Sequence, residues 1–377
     1  MTAAMFAGGL VSAFVPTVQT AITIFTGYNH PHSYQARVHT RNASYWFYAK
    51  RTTTNFDIWR KAHNSNTWAL ASSIATGLSG AVQGDMGSIQ VGSTGRLHAV
   101  YFISTGTYNI GWRYSDDNGS TWSSESSVAT GALWGDATVS GPSLHVDASD
   151  NLHVAYTDEA SAYPYYAYWN GSTWTTGRVV ANGNTAQLRP NVITLTSGRV
   201  IYSFCNSSNQ VSVYYSDNNG TSWTAGSPTT TGATSVSNIS MIGDGNTFYV
   251  SCQEIDATRT MLSISCDGST MTYDSAWDVV FSGDGADATQ FIDSTGNLNM
   301  VYRKYPDGNP DVVYHARKNG TWTETQIGPS VDHILPKVFW QEFHRFNPTY
   351  NKPGVIMSEV AGDIDFRFIT SLNMKAA

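Results

Sequence analysis

The chain has 377 residues, of which only 13% are charged, while glycine, serine, threonine and asparagine are abundant. This composition is typical of turn-rich all-β proteins and excludes a fold built from long helices. The formal net charge of -7 argues against nucleic acid as a partner, because no basic stripe exists to neutralise phosphates.

The N-terminal residues 1–28 contain no charged residue. A signal peptide would need Lys or Arg near its start, and a membrane span would need about twenty unbroken apolar residues, so neither is predicted. Residues 19–25 alternate like a strand, and we expect them to complete the last sheet of the fold. Residues 1–16 are predicted to form an uncharged arm that packs on another subunit, and residues 17–377 to form a single domain.

A seven-residue phrase recurs along the chain as a turn followed by alternating apolar residues, the period of a strand. It reads Gly-Arg-Leu-His-Ala-Val-Tyr at residues 95–101 and returns, with substitutions, at 150–156, 198–204 and 296–302. His98 and His153 occupy the same position of the phrase, which favours a structural role for both. Cys205 and Cys252 fall late in such strands. With Cys266 they lack metal spacing, and we expect buried free thiols.

A second repeated element is a turn followed by an aromatic residue. Residues 114–122 read Tyr-Ser-Asp-Asp-Asn-Gly-Ser-Thr-Trp, and residues 215–223 match them with Asn218 in place of Asp117. Asp, Asn and Gly suit a tight hairpin, and we expect Trp122 to be buried under its own hairpin. Shorter copies occur at residues 63–68, 170–174, 265–271 and 319–322. The spacing of about fifty residues is the period of a four-stranded propeller blade.

This second element resembles the Asp-box, or BNR repeat, of the sialidase-like β-propeller superfamily, whose motif reads Ser-x-Asp-x-Gly-x-Thr-Trp. The resemblance covers most of the chain. It implies that each box lies on the turn between the third and fourth strands of a blade, away from the face that holds an active site.

The predicted fold is therefore an all-β, seven-bladed propeller of four-stranded antiparallel blades, with six blades as the alternative. Residues 335–373 supply only three strands, so the strand at residues 19–25 is predicted to close the last blade and remove exposed edges. The predicted blades span approximately residues 33–76, 85–130, 140–181, 188–230, 238–281, 287–328 and 335–373.

Candidate site residues come from the face opposite the boxes, on loops before the first strand and between the second and third strands. A sialidase-like hydrolase implies an arginine clamp for a carboxylate, an Asp acid/base and a Glu that assists a Tyr nucleophile. The candidates are Arg37, Arg189 and Arg303 for the clamp, Asp85 for the acid/base and Glu254 for the helper. The family's Arg-Ile-Pro signature is absent, because Val38 and His39 follow Arg37.

A polysaccharide lyase is the other enzymatic hypothesis, with a His and a Tyr that remove a proton next to a carboxylate held by Arg. His333 or His39, Tyr163 or Tyr165, and Arg189 would fill these roles. Without catalysis, Tyr163 and Tyr165 are predicted to lie in a loop and stack on sugar rings, with Arg259 as a further substrate-binding candidate.

We expect a non-catalytic propeller that recognises glycans or builds a structure, as a surface component of a bacteriophage virion or a similar extracellular assembly. A carbohydrate-active enzyme acting on acidic glycans is the alternative. The expected partners are a glycan and another protein or a second copy, bound through the arm. No cofactor or metal is predicted: loop Asp and Asn residues would suit calcium, but no loop has calcium-ligand spacing.

Overall fold

The structure is a computed structural model, and it describes residues 22–25, 39–52, 54–75, 87–104, 108–130, 141–157, 163–180, 190–228, 236–254, 260–281, 283, 285–304, 312–327, 333–338, 354–359 and 364–368. The predicted N-terminal arm lies outside these residues. In the described part of the chain no helix is long and apolar enough to cross a membrane.

The described residues form seven antiparallel sheets of four strands each, except for the fifth sheet, which has five. The strands follow one another in chain order in every sheet but the last. Strand β1 (Ile22–Phe25) belongs to that last sheet. The first sheet contains β2 (His39–Arg41), β3 (Tyr45–Arg51), β4 (Phe56–Ala62) and β5 (Ala69–Ala75). The second contains β6 (Gly87–Val91), β7 (Leu97–Ser104), β8 (Tyr108–Ser115) and β9 (Ser126–Thr130). The third contains β10 (Ser143–Val146), β11 (Leu152–Thr157), β12 (Pro164–Trp169) and β13 (Trp174–Arg178).

The remaining sheets follow the same plan. The fourth contains β14 (Asn191–Thr194), β15 (Val200–Cys205), β16 (Val211–Ser216) and β17 (Thr224–Ala225). The fifth contains β18 (Val236–Asp244), β19 (Thr247–Glu254), β20 (Met261–Asp267), β21 (Thr272–Tyr273) and β22 (Asp278–Phe281), and both β21 and β22 pair with β20. The sixth contains β23 (Gly285–Ile292), β24 (Leu298–Lys304), β25 (Val312–Asn319) and β26 (Thr321–Gln326).

The last sheet combines both ends of the chain. Its order is β27 (His333–Val338), β28 (Gly354–Glu359), β29 (Ile364–Phe368) and then β1, with Ile22 opposite Phe366. The last blade was predicted to begin at residue 335, but its first strand begins at His333. The pairing with β28 is irregular between Ile334 and Lys337, and such a bulge breaks the period-two alternation by which a strand is found in sequence.

The second to sixth sheets pack on their neighbours through both faces of their second strands. The first strands of successive sheets, from β2 to β27, lie side by side. On β7, Leu97 and Ala99 join a core cluster with the first sheet, whereas Val100 and Phe102 join a cluster with the third sheet. Because successive side chains of a strand point to opposite faces, the repeated seven-residue phrase supplies the core on both sides of the second, third, fourth and sixth sheets.

The two full boxes lie where the sequence places them, between the third and fourth strands of the second and fourth sheets. In the first of them the Ser115 hydroxyl accepts a hydrogen bond from the amide of Gly119 at 2.9 Å and donates to Asp117 at 2.8 Å. Asp117 Oδ1 in turn accepts the amide of Thr121 at 2.8 Å. Asn118 and Gly119 have φ of 61° and 79°, the left-handed conformation that Asn and Gly tolerate best. The box is therefore a self-contained turn.

The box tryptophans pack in a direction that the sequence does not predict. Trp122 is half-buried rather than sealed under its own hairpin, and its Nε1 donates both to Ser72 Oγ of the first sheet at 2.9 Å and to the carbonyl of Gly119 at 3.1 Å. Trp223 meets Tyr166 of the third sheet edge to face, with centroids 5.2 Å apart. Trp122 precedes β9, so the pleat of that strand does not direct its ring. Each of these two tryptophans therefore joins its own turn to the preceding sheet.

The three cysteines are free and buried, as predicted. Cys205 ends β15 and Cys252 lies in β19, the second strands of successive sheets. Both belong to the cluster between the fourth and fifth sheets, and burial raises the pKa of the Cys252 thiol well above its ordinary value. Their role is packing.

Candidate functional site

Four of the predicted site residues lie in the described part of the chain with their side chains, at the end of the sheets opposite the boxes. Tyr163 directly precedes β12, and Tyr165 is the second residue of that strand. Glu254 ends β19 and Arg303 lies next to the end of β24. These positions follow from the strand directions, because the start of a third strand and the end of a second strand share one edge of an antiparallel sheet.

The remaining candidates are described only in part or not at all. His39 and His333 are the first residues of β2 and β27, and they stand opposite Tyr48 and Glu359 in the backbone register. Four other candidates fall outside the described residues: Arg37, Asp85, Arg189 and Arg259. Neither the arginine clamp nor the acid/base assignment is therefore placed by the described residues.

The structure brings Tyr163 and Tyr165 together with an arginine that the sequence did not nominate. The guanidinium carbon of Arg178 lies 4.4 Å from the centroid of the Tyr163 ring and 5.7 Å from that of Tyr165. Nε of Arg178 donates to the Tyr165 hydroxyl oxygen at 2.8 Å. Arg178 is exposed and both tyrosines are half-buried. We call these three side chains the tyrosine–arginine cluster.

Neighbouring strands hold this cluster in place. The Tyr165 ring stacks on Tyr156 of β11, with centroids 5.6 Å apart and an interplanar angle of 29°. From the fourth sheet, the fully buried Tyr202 donates its hydroxyl to the backbone oxygens of Tyr165 at 3.1 Å and Tyr156 at 3.2 Å. Arg178 pairs with Tyr165 across the β12–β13 ladder. The rings are thus oriented before any ligand arrives, which lowers the entropic cost of binding.

Tyr165 lies in a strand, whereas the sequence analysis placed it in a loop. The pairing of β11 with β12 extends to Thr157 opposite Pro164, so the strand begins directly after Tyr163; Pro is tolerated as the first residue of a strand. The next ring, Tyr166, is buried against Trp223 as core, and burial raises the pKa of its phenol. Residues 163–169 contain five aromatic residues, and alternation along β12 directs Tyr166 to the core and Tyr165 to the surface side of the strand.

Arg178 is not among the candidates predicted from the sequence, because those candidates come from the loops before the first strand and between the second and third strands. The fourth strand runs antiparallel to the third, so its last residue reaches the same edge as the first residues of the third strand. Arg178 is the last residue of β13. The sequence contains a signal for this position, because Arg178 follows Trp174, the aromatic residue of the short box at 170–174, by the length of one short strand.

Two tyrosine–carboxylate pairs carry the residue types of a sialidase nucleophile, but their tyrosines are buried in the core while their glutamates lie at the surface. The hydroxyl of Tyr101 donates to Glu125 at 2.7 Å, and that of Tyr302 donates to Glu324 at 2.5 Å. Both tyrosines are fully buried, and burial, followed by the carboxylate hydrogen bond, raises the pKa of each phenol. Tyr302 thereby ties β24 to β26, and Tyr101 ties β7 to the residue that precedes β9. Neither buried phenol is presented to a substrate as a nucleophile.

The chemistry of the tyrosine–arginine cluster suits a sugar. A tyrosine ring offers an apolar face with a polar tip, while a guanidinium offers several donors in a fixed plane for hydroxyl or carboxylate oxygens. Among the described residues no group of three or more His, Cys, Asp or Glu side chains is arranged to hold a metal ion. The cluster presents two tyrosine rings and one cation.

Comparison with known proteins agrees with this architecture. The family model of the BNR repeat-like domain matches residues 43–283. The fold is that of a β-propeller of the sialidase-like superfamily. The chain belongs to the BNR repeat-like domain family. No curated protein sequence matches it.

Several solved structures are similar to this chain at low sequence identity. A fungal alcohol oxidase of the AA5 family, in complex with copper, has a TM-score of 0.58 and 11% identity over 96% of this chain and 77% of its own. A protein of unknown function from Dyadobacter fermentans DSM 18053 has a TM-score of 0.51 and 10% identity over 96% of this chain and 100% of its own. The Hadza microbial sialidase Hz136 has a TM-score of 0.48 and 12% identity over 84% of this chain and 73% of its own.

Proposed function

We propose that this protein recognises glycans without catalysing a reaction on them, and that the tyrosine–arginine cluster is its binding surface. The observation that carries the proposal is the placement of Arg178, 4.4 Å from the Tyr163 ring centroid and hydrogen-bonded to Tyr165. A sugar ring stacking on the exposed aromatic surface would meet guanidinium donors at its edge. A carboxylate on that sugar would gain a charge-assisted hydrogen bond, so acidic glycans are the preferred class.

The experiment measures binding of sialylated and uronic-acid glycans by titration calorimetry, for the wild type and for Arg178→Ala and Tyr163→Ala. Each variant is expected to weaken binding about tenfold or more, since one lost contact of about 1.4 kcal/mol has that effect. The matched control is Arg96→Ala, because Arg96 lies 4.1 Å from the Tyr114 ring centroid on the box side. Wild-type affinity in Arg178→Ala would reject the proposed surface.

The same samples also test for catalysis. Released sugar and the absorbance of unsaturated products are followed during incubation with each glycan. Turnover by the wild type that disappears in Arg189→Ala would replace the proposal with a carbohydrate-active enzyme. Binding without turnover is the result we expect.

We also propose that the seven sheets close into one ring as a seven-bladed propeller. Side-by-side first strands from β2 to β27 support this arrangement, as does the completion of the last sheet by β1. Cysteine cross-linking of residues in β2 and β27 is expected to succeed in a closed ring. Failure there, with success between β2 and β6, would contradict closure.

The proposed setting is the surface of a bacteriophage virion or a similar extracellular assembly. The uncharged residues 1–16 and the low charge of the chain support this idea. Deletion of residues 1–16 is expected to leave the far-ultraviolet circular dichroism unchanged and to reduce the mass of the assembly in light scattering. An unchanged mass would contradict a role of the arm in assembly.

A further inference from the structure

A second group of aromatic and charged side chains lies at the boundary between the fifth and sixth sheets. Nζ of Lys304 lies 3.7 Å from the centroid of the Phe281 ring and 4.9 Å from that of Tyr314. Phe281 ends β22 of the fifth sheet, while Tyr314 belongs to β25 of the sixth. All three side chains are half-buried. One cation therefore links two partly exposed rings across a sheet boundary.

A carboxylate completes the group. Oε1 of Glu324 lies 2.9 Å from Lys304 Nζ, and the side chains of Lys304 and Glu324 are 20% and 37% exposed. The buried Tyr302 donates to Oε2 of Glu324 and stacks on both Phe281 and Tyr314, at centroid distances of 5.7 Å and 6.2 Å. The buried central ring therefore fixes the two outer rings and the carboxylate.

This group occupies the same place in its sheet as the tyrosine–arginine cluster does in the third sheet. Tyr302 is the last residue of the repeated phrase at 296–302, as Tyr156 is at 150–156. Tyr314 stands opposite Tyr302 just as Tyr165 stands opposite Tyr156. In both cases the outer tyrosine stacks on the inner one and a cation lies near its ring. The cation comes from the second strand here and from the fourth strand in the third sheet.

We propose that Phe281, Lys304, Tyr314 and Glu324 form a second carbohydrate-binding surface that takes a neutral pyranose. The paired ammonium and carboxylate give the surface no net charge, and together they donate to and accept from adjacent sugar hydroxyls. Because Glu324 already neutralises Lys304 at 2.9 Å, this surface gives a carboxylated sugar no electrostatic gain, so it does not select the acidic units preferred at Arg178. The inference rests on the proposed function, because both surfaces require a glycan ligand. With both surfaces, one protein binds a glycan that contains acidic and neutral sugars at two points.

The test is titration calorimetry with two separate probes, a neutral hexose oligosaccharide and a sialylated one. Glu324→Gln retains an oxygen that accepts the Tyr302 hydroxyl, and Tyr314→Leu removes a surface ring. Each is expected to weaken binding of the neutral oligosaccharide about tenfold or more and to leave the sialylated one unaffected. Arg178→Ala is expected to show the reverse pattern.

The matched control is Glu125→Gln. Glu125 accepts the hydroxyl of the equivalent Tyr101 at 2.7 Å, but Gly111 stands opposite Tyr101 where the sixth sheet has a tyrosine. This variant should bind both probes normally. The second surface is overturned if both Glu324→Gln and Tyr314→Leu bind the neutral oligosaccharide normally. It is also overturned if the wild type does not bind the neutral oligosaccharide at all. Neither result bears on the tyrosine–arginine cluster. Failure of the wild type to bind the sialylated oligosaccharide counts against the proposed function instead.

Discussion

Arg199 and Asp217 form a two-point ion pair, with Nε 2.6 Å from Oδ1 and Nη2 2.9 Å from Oδ2. The same guanidinium lies 4.4 Å from the ring centroid of Tyr215. Its Nη1 reaches the fifth sheet and donates to the carbonyl oxygens of Gly268 at 2.6 Å and Ser269 at 3.1 Å. One arginine of the fourth sheet therefore holds its own box and also the degenerate box of the next sheet.

Replacing Arg199 should cost more stability than replacing its repeat equivalent. Arg96 makes the same two bonds to Asp116, at 2.7 Å and 2.9 Å, but within the described residues it donates to no neighbouring box. Exposed pairs contribute only about 0.2–1 kcal/mol, whereas bonds from a charged donor contribute about 1.5–3 kcal/mol. We expect Arg199→Ala to lower the free energy of unfolding by about 2 kcal/mol and Arg96→Ala by about 1 kcal/mol in urea titrations. Equal losses would contradict a cross-sheet role.

The box tryptophan Trp122 should contribute to the free energy of unfolding partly through its contact with the first sheet. Removal of a fully buried Trp costs about 3–5 kcal/mol, and because Trp122 is half-buried we expect about 2–3 kcal/mol for Trp122→Ala. A double-mutant cycle of Trp122→Phe with Ser72→Ala isolates the hydrogen bond between them, with a coupling of about 0.5–1.5 kcal/mol. Additive losses would show that the bond to the first sheet contributes nothing.

The glycines of the two full boxes should differ in their tolerance of alanine. Both have positive φ, 79° at Gly119 and 85° at Gly220, which costs a residue with a Cβ about 1–2 kcal/mol. A Cβ at Gly119 meets its nearest neighbours at 3.6 Å, an ordinary contact, whereas a Cβ at Gly220 would overlap the ring of Tyr166. We expect Gly119→Ala to lower the free energy of unfolding by about 1 kcal/mol and Gly220→Ala by about 3 kcal/mol or more. Chemical denaturation of both variants provides the comparison, and similar losses would contradict the packing of Tyr166 on that turn.

Much of the fold was predictable because one structural unit is repeated. The phrase at residues 95–101 and the box at 114–122 mark the second strand and the turn after the third, and period-two alternation supplies the rest. The repeat does not specify how one sheet packs on the next. Trp122 packs on the preceding sheet because that space lies beside its turn, and no spacing within one unit encodes the direction. The start of β27 was hidden by an irregular pairing.

The candidate site was predicted less completely than the fold. Tyr163 and Tyr165 were identified because a run of aromatic residues is visible in the sequence. Arg178 is a lone exposed cation at a strand end, and only the β12–β13 register brings it to Tyr165. The Lys304 group depends on two different sheets. Contacts between different sheets carry no local signal in a single sequence, so the Lys304 group is recognised only in three dimensions.

His98 should make the protein less stable as the pH falls. Its ring is buried, and Nδ1 accepts a hydrogen bond from Nε1 of Trp112 at 3.3 Å. Burial, helped by the nearby Arg96 charge, lowers the pKa of His98 from 6.5 to about 4. The unfolded chain therefore takes up a proton near pH 6.5, while the folded protein does not until about pH 4. Stability is fully present above the unfolded pKa and is lost through this window.

The change that tests this is His98→Gln, which retains an acceptor for Trp112 and removes the titrating ring. The free energy of unfolding is measured in urea at pH 7, 5.5 and 4 for both proteins. As the pH falls, wild type should lose on the order of 3 kcal/mol more than the variant, because each unit of pKa difference corresponds to about 1.4 kcal/mol. Arg96→Gln should narrow the window, since it removes a charge that keeps the imidazole neutral. If wild type and His98→Gln lose stability in parallel, the imidazole is not held neutral in the folded protein.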